Sequence, residues 1–146
     1  MTTAPKPHAS GLDHELIEQL HTLAQRVARN SYSPYSKFKV GAAVLLSDGS
    51  IHVGCNVENA SYRLTSCAEQ SAISSAVSHK GPEIKIRAVS VTNLNGAASM
   101  PCGACRQTLL EFGDTETWIF FPGLDGVAAS APLSALIPFG FKLAHD

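Results

Sequence analysis

The sequence carries almost no net charge: eleven Lys and Arg stand against twelve Asp and Glu, and neither sign gathers into a run. Without a basic stripe the chain lacks the electrostatic footprint of a protein that binds long nucleic acid, so a small neutral or weakly charged ligand suits it better. Uninterrupted apolar stretches of membrane-spanning length are also missing, and Met1 to Ser10, with Pro5 and Pro7 and no apolar centre, reads as a loose tail, neither signal peptide nor anchor. No internal repeat or low-complexity block is present. Cysteine is scarce, with four in 146 residues. Two disulfides would be available from these, but their placement suits reduced thiolates in a cytosolic setting. What the chain does have is apolar content, 45% hydrophobic residues, enough for one core. We expect a single domain over residues 11–146 behind a tail at 1–10.

Periodicity supplies the elements. Leu12, Leu16, Leu20, Leu23 and Val27 recur at steps of three and four, which predicts an amphipathic helix over 12–28. The Ser31 to Ser36 run, with Pro34, ends it and leads into a strand. Phe38 to Leu46, a turn at Ser47 to Ser50, and Ile51 to Val57 read as a β-hairpin with Phe38, Val40, Ala42 and Val44 on one face. By that alternation Phe38 is a core residue. A helix is predicted over Cys67–Ser78, capped by Ser66 or Thr65, with Ala72, Ile73, Ala76 and Val77 inward. A buried strand follows at Ile86–Thr92, then a helix entered through Pro101 and ended by Gly113, a strand at Trp118–Phe121, a short strand at Val127–Ser130 and a short helix at Pro132–Leu136. This order implies a three-layer α/β/α domain around a mixed sheet of about five strands.

Chemistry concentrates in two stretches. Pro101-Cys102-Gly103-Ala104-Cys105 contains a Cys-x-x-Cys, which alone is compatible with a redox pair, half of a structural zinc site, or coincidence. Cys67-Ala68-Glu69, at the head of the preceding predicted helix, adds a third thiol and a carboxylate. Zinc held by three protein ligands keeps a fourth position for water, and a nearby carboxylate can move that water's protons. Cys-x-Glu followed by Pro-Cys-x-x-Cys matches the general signature of zinc deaminases. A net-anionic tris-thiolate site activates water less than a neutral one, so the carboxylate and the positive helix ends gain importance. Cys55 leaves two readings open: a fourth thiolate of a closed structural zinc, or a small buried residue within its strand. Asn56 to Tyr62 gathers polar groups at a strand end, where α/β sites commonly collect ligand contacts.

These motifs, together with Ser31-Tyr32-Ser33-Pro34-Tyr35-Ser36-x-Phe38-x-Val40-Gly41-Ala42, Asn56-Val57-Glu58-Asn59-Ala60-Ser61-Tyr62 and the continuation Arg106-Gln107, resemble the small homotetrameric zinc-dependent cytidine deaminases over nearly the whole chain after the tail. The resemblance implies the cytidine deaminase-like fold and hydrolytic deamination of cytidine and deoxycytidine in pyrimidine salvage, in the cytoplasm. It implies one zinc ion per subunit on Cys67, Cys102 and Cys105, with Glu69 shuttling protons. Phe38 would stack on the base, Asn56 and Glu58 would bind the ribose hydroxyls, and Ala68 would contribute its backbone to the base pocket. Ala60 and Tyr62 would reach a subunit interface, and Phe141, in Pro138-Phe139-Gly140-Phe141, would cover a neighbour's site. One position departs from the pattern: Gln70 stands where the family usually has an Arg that offsets the thiolates' charge. That keeps a modified or N4-substituted cytosine nucleoside in view as an alternative substrate, beside a non-catalytic zinc-stabilised protein.

Overall fold

Asp13 starts the first helix by accepting the Leu16 backbone N–H at 2.8 Å, and α1 then runs His14–Ala28. The computed structural model describes residues 11–145; the predicted tail lies outside them. The deepest residues of α1 are Ile17, Leu20, Ala24 and Ala28, while Leu16, Leu23 and Val27 are only partly covered. The buried face is therefore turned toward the alanines, away from the predicted leucine stripe. The reason lies across the interface. A Cβ placed on Gly41 would stand 2.0 Å from the Ala24 carbonyl oxygen, so only glycine opposite alanine permits this approach.

Five strands form one mixed sheet in the order β2-β1-β3-β4-β5: β1 (Val40–Leu46), β2 (Ile51–Cys55), β3 (Ile86–Asn93), β4 (Trp118–Pro122) and β5 (Ala128–Pro132). Only β3 and β4 run parallel, paired at Ala88↔Trp118, Val89↔Ile119 and Ser90↔Phe120. Their connection is the helix α3 (Gly103–Phe112), as a parallel pair requires a crossover. With α2 (Ala68–Lys80) and α4 (Leu133–Leu136), α3 covers one face of the sheet over Ala42, Val44, Val89, Val91 and Ile119. On the opposite face α1 packs over Ala43, Leu45, Ala88 and Phe120. The three-layer arrangement is thus as predicted.

The hairpin begins later than its alternation suggested. Phe38 precedes β1 and is half-buried, so its expected place in the core strand is corrected. Lys37, with φ of 61°, bends the chain just before it, and Asn95 ties Lys37 and Lys39 to the loop after β3 instead of to a strand. The second glycine contact mirrors the first. Gly54 on β2 lies beneath α2, where an added Cβ would fall 2.3 Å from the Ala72 backbone nitrogen.

Candidate functional site

Two helices deliver the three thiols. Cys67 is itself the N-cap of α2, in extended geometry, and Cys102 is the N-cap of α3, which corrects the expectation that Ser66 or Thr65 would cap the first of them. Neither cap side chain bonds to its own helix, so the thiols are left for another partner. Cys105 follows in the first turn of α3 and is fully buried. The sulfurs of Cys67, Cys102 and Cys105 all lie within 4.8 Å of one another. Cys55, half-buried on β2 opposite Gly41, is outside that group, so the closed four-thiolate site is not formed.

Acidities in the cluster are divided. The Cys105 thiol donates to Cys67 and thereby holds the Cys67 thiol down at about 7, against the opposing effects of burial and the Glu69 carboxylate. Cys105 is correspondingly pushed up, first by that hydrogen bond and then by burial. Cys67 is thereby the more readily ionised of the pair, and the orphan N–H groups of two helix starts favour thiolates. Three soft, clustered sulfurs form a donor set suited to zinc, and an ion held by three protein ligands keeps a fourth position for a non-protein one. The residues present fit the ion.

Glu69 is the second residue of α2, within its first turn, and is only 4% exposed. Burial raises its pKa above the usual carboxylate value, which makes it able to hold a proton. Ala68 before it is fully buried; Gln70 after it is half-buried, and its side chain has no hydrogen-bond partner among the described residues.

The polar run after β2 reaches the same end of the sheet. Val57 and Ser66 exchange backbone hydrogen bonds at 2.9 Å, which places Asn56 to Glu58 beside the residue leading into Cys67. Asn56 is buried and already engaged: its Nδ2 donates to the Phe38 carbonyl at 2.8 Å, and its Oδ1 accepts from Val40 N at 2.9 Å and from the Ser31 hydroxyl. One amide hydrogen of Asn56 is left for a ligand. Glu58 accepts from the Tyr35 and Ser36 backbone N–H groups, at 3.0 and 3.1 Å, and from the Ser36 hydroxyl, the last being the chief reason its pKa lies below the ordinary value. Sequence reasoning missed this bracing of the Ser31–Phe38 loop, since it joins residues 18 to 25 positions apart.

The remaining predicted positions face outward. Ala60 and Tyr62 are exposed, Tyr62 in a single helical turn at Tyr62–Leu64 with its ring 6.0 Å from that of Tyr35. Phe139 and Phe141 are 96% and 65% exposed, with Leu143 and Leu64 also in solvent. Gln107 holds the last segment through the Phe141 carbonyl at 2.8 Å. A separate cavity of about 360 Å³ lies on the α1 face, lined by Ile17, His21, Phe120 and Ser130 among others, and shares no residue with the cysteine cluster. No described helix is long and apolar enough to cross a membrane.

Comparison with known proteins agrees with the motifs. Residues 14–121 match the family model described as the cytidine and deoxycytidylate deaminase zinc-binding region. The cytidine deaminase of Sporosarcina psychrophila is 40% identical over 126 residues, 86% of this chain and 91% of the relative. A crystal structure of cytidine deaminase from Mycobacterium tuberculosis is 40% identical with a TM-score of 0.76, covering 87% of this chain and 98% of that one. One from Burkholderia pseudomallei, at 36% identity, has a TM-score of 0.77 and covers 89% and 100%.

Proposed function

The chain belongs to the cytidine and deoxycytidylate deaminase zinc-binding family, and on that premise we propose that it hydrolyses cytidine and deoxycytidine to uridine and deoxyuridine, releasing ammonia. The observation that carries this reading is the buried Glu69 two residues from Cys67 in a cluster of three thiols. When bound there, zinc supplies the Lewis acidity that makes water a nucleophile near neutral pH. Glu69 takes a proton from the attacking water and delivers it to the ring nitrogen of the base. Water oxygen bonds to the amine-bearing carbon, Glu69 passes the second proton to the amine, the C–N bond breaks and ammonia leaves. A carboxylate whose pKa is raised by burial suits both halves of that transfer.

Phe38, half-buried and held through its own carbonyl by Asn56, stacks on the pyrimidine. The free amide hydrogen of Asn56 and the carboxylate of Glu58 bind the ribose hydroxyls, and the Ala68 backbone contacts the base. Ala60, Tyr62 and Phe141 complete a neighbouring subunit's site in a homotetramer; their exposure in the single chain is what supports this role. The protein acts in the cytoplasm, a reading supported by its free, clustered thiols, which a reducing compartment preserves.

The test is an ultraviolet assay of purified protein against cytidine, deoxycytidine, free cytosine and N4-substituted nucleosides, with zinc determined alongside. Loss of the cytidine absorbance with about one zinc per chain is expected; no deamination of any nucleoside would end the enzyme reading. Gln70, whose amide is able to donate bonds but carries no charge, leaves the thiolates more electron-rich than an Arg would. Gln70→Arg is therefore expected to move the acid limb of the pH–rate profile downward and to slow zinc loss. Identical profiles and zinc retention would remove Gln70 from the site's tuning.

A further inference from the structure

Cys102 is the most exposed of the three thiol positions, and it has no strand or helix on its N-terminal side. Cys67, the corresponding residue on α2, is secured from both directions. The Val57–Ser66 backbone pair fixes the peptide before it, and the Ser71 N–H bonds to its carbonyl at 3.0 Å. Pro101 cannot take part in such a pairing, because it has no N–H to give.

The missing support comes from one side chain. The Arg106 backbone N–H donates to the Cys102 carbonyl at 2.9 Å, as a helix's first turn requires, while its Nε donates to the Pro101 carbonyl at 2.7 Å. Both peptide units flanking Cys102 are thus bonded to a single residue, which sets the φ and ψ of Cys102 and so the direction of its sulfur. The guanidinium is in turn immobilised, since its Nη1 donates to the Leu136 carbonyl at the end of α4, at 2.8 Å. We propose that Arg106 is the positioning residue for Cys102: it aims the exposed thiol at the other two and ties that aim to the placement of α4. The planar fork of Arg can serve two diverging carbonyls at once, whereas a Lys ammonium keeps the charge and loses the second fixed direction.

The inference rests on the zinc reading above, and the test separates the two. Zinc-loaded wild type, Arg106→Lys, Arg106→Gln and Gln107→Ala are compared for zinc release to a chromophoric chelator and for the visible spectrum of the cobalt(II)-substituted protein, with melting temperature recorded for each. Gln107→Ala serves as the control, because it loses a bond of the same kind, to the Phe141 carbonyl, from the next position on α3. Both Arg106 variants are expected to release zinc about ten- to a hundredfold faster and to shift the cobalt bands, with wild-type behaviour in Gln107→Ala. Wild-type release and spectra in Arg106→Lys, even with a lowered melting temperature, would overturn the proposal, as would equal acceleration in the control. Should Arg106→Gln fail to fold, Arg106→Lys decides. A wild-type protein that takes up no zinc would defeat the zinc reading itself.

Discussion

Glu69→Gln is expected to fold, to bind zinc and to lose cytidine deamination by about a hundred- to ten-thousandfold, the usual size of a general acid–base contribution. Gln matches Glu in shape, so the tight packing at this 4%-exposed position is preserved. Burial disfavours the charged carboxylate, so the neutral amide also relieves part of that cost, and a raised melting temperature is consistent with the exchange. The amide has no basic oxygen of comparable strength, and proton transfer stops. Rates measured by absorbance, with zinc content and melting temperature on the same samples, check the claim. Activity within tenfold of wild type would show that another group carries the proton; normal folding without zinc would recast Glu69 as a support of the cluster.

Gly54→Ala is expected to cost about 3 kcal/mol or more, because the new methyl meets backbone, 2.3 Å from Ala72 N and 2.7 Å from the Ser71 carbonyl carbon. Backbone cannot swing aside as a side-chain tip can, so α2 must shift as a body. Its first turn carries Ala68 and Glu69 directly after Cys67, so the displacement reaches the chemistry. The expected result is a fall of roughly 10 °C in melting temperature together with weakened zinc retention. Gly41→Ala provides the comparison: the clash is against α1, on the face away from the cysteines, so stability drops while zinc retention in the folded fraction holds. Equal zinc loss in both variants would show that the lesion spreads through the sheet and does not act through α2.

Much of the architecture was legible in the sequence because hydrophobic period and turn residues act locally. The five strands, the three layers and both cysteine-bearing helix starts follow from such signals, and the long ordered motifs carried the family. Contacts between distant segments were not legible. The face of α1 depended on Gly41, a strand residue, and no helical pattern within 14–28 contains it. Phe38 looked like a strand residue because alternation ran through it, whereas the left-handed Lys37 and the Asn95 bridge set the strand's true beginning. Asn56 and Glu58 read as ligand groups in the sequence, whereas their bracing of the Ser31–Phe38 loop is a task that spacing does not reveal. Arg106 stood in a quoted motif with no role attached, since one of its two side-chain partners, Leu136, lies 30 residues away.

The one parallel ladder between the five strands, only three residues long, joins two portions of the sheet that are otherwise built from neighbouring antiparallel strands. Cys67 stands on the helix laid against β1 and β2, whereas Cys102 and Cys105 stand on the crossover into β4. An ion shared among them is therefore a cross-link as well as a reaction centre, closing a loop of about 35 residues between Cys67 and Cys102. Treated like a disulfide of that span, such a closure removes unfolded-chain entropy worth about 4 kcal/mol. The shortest strand ladder of the sheet is also the one this cross-link spans, so loss of the metal removes the tie and silences the enzyme in one event.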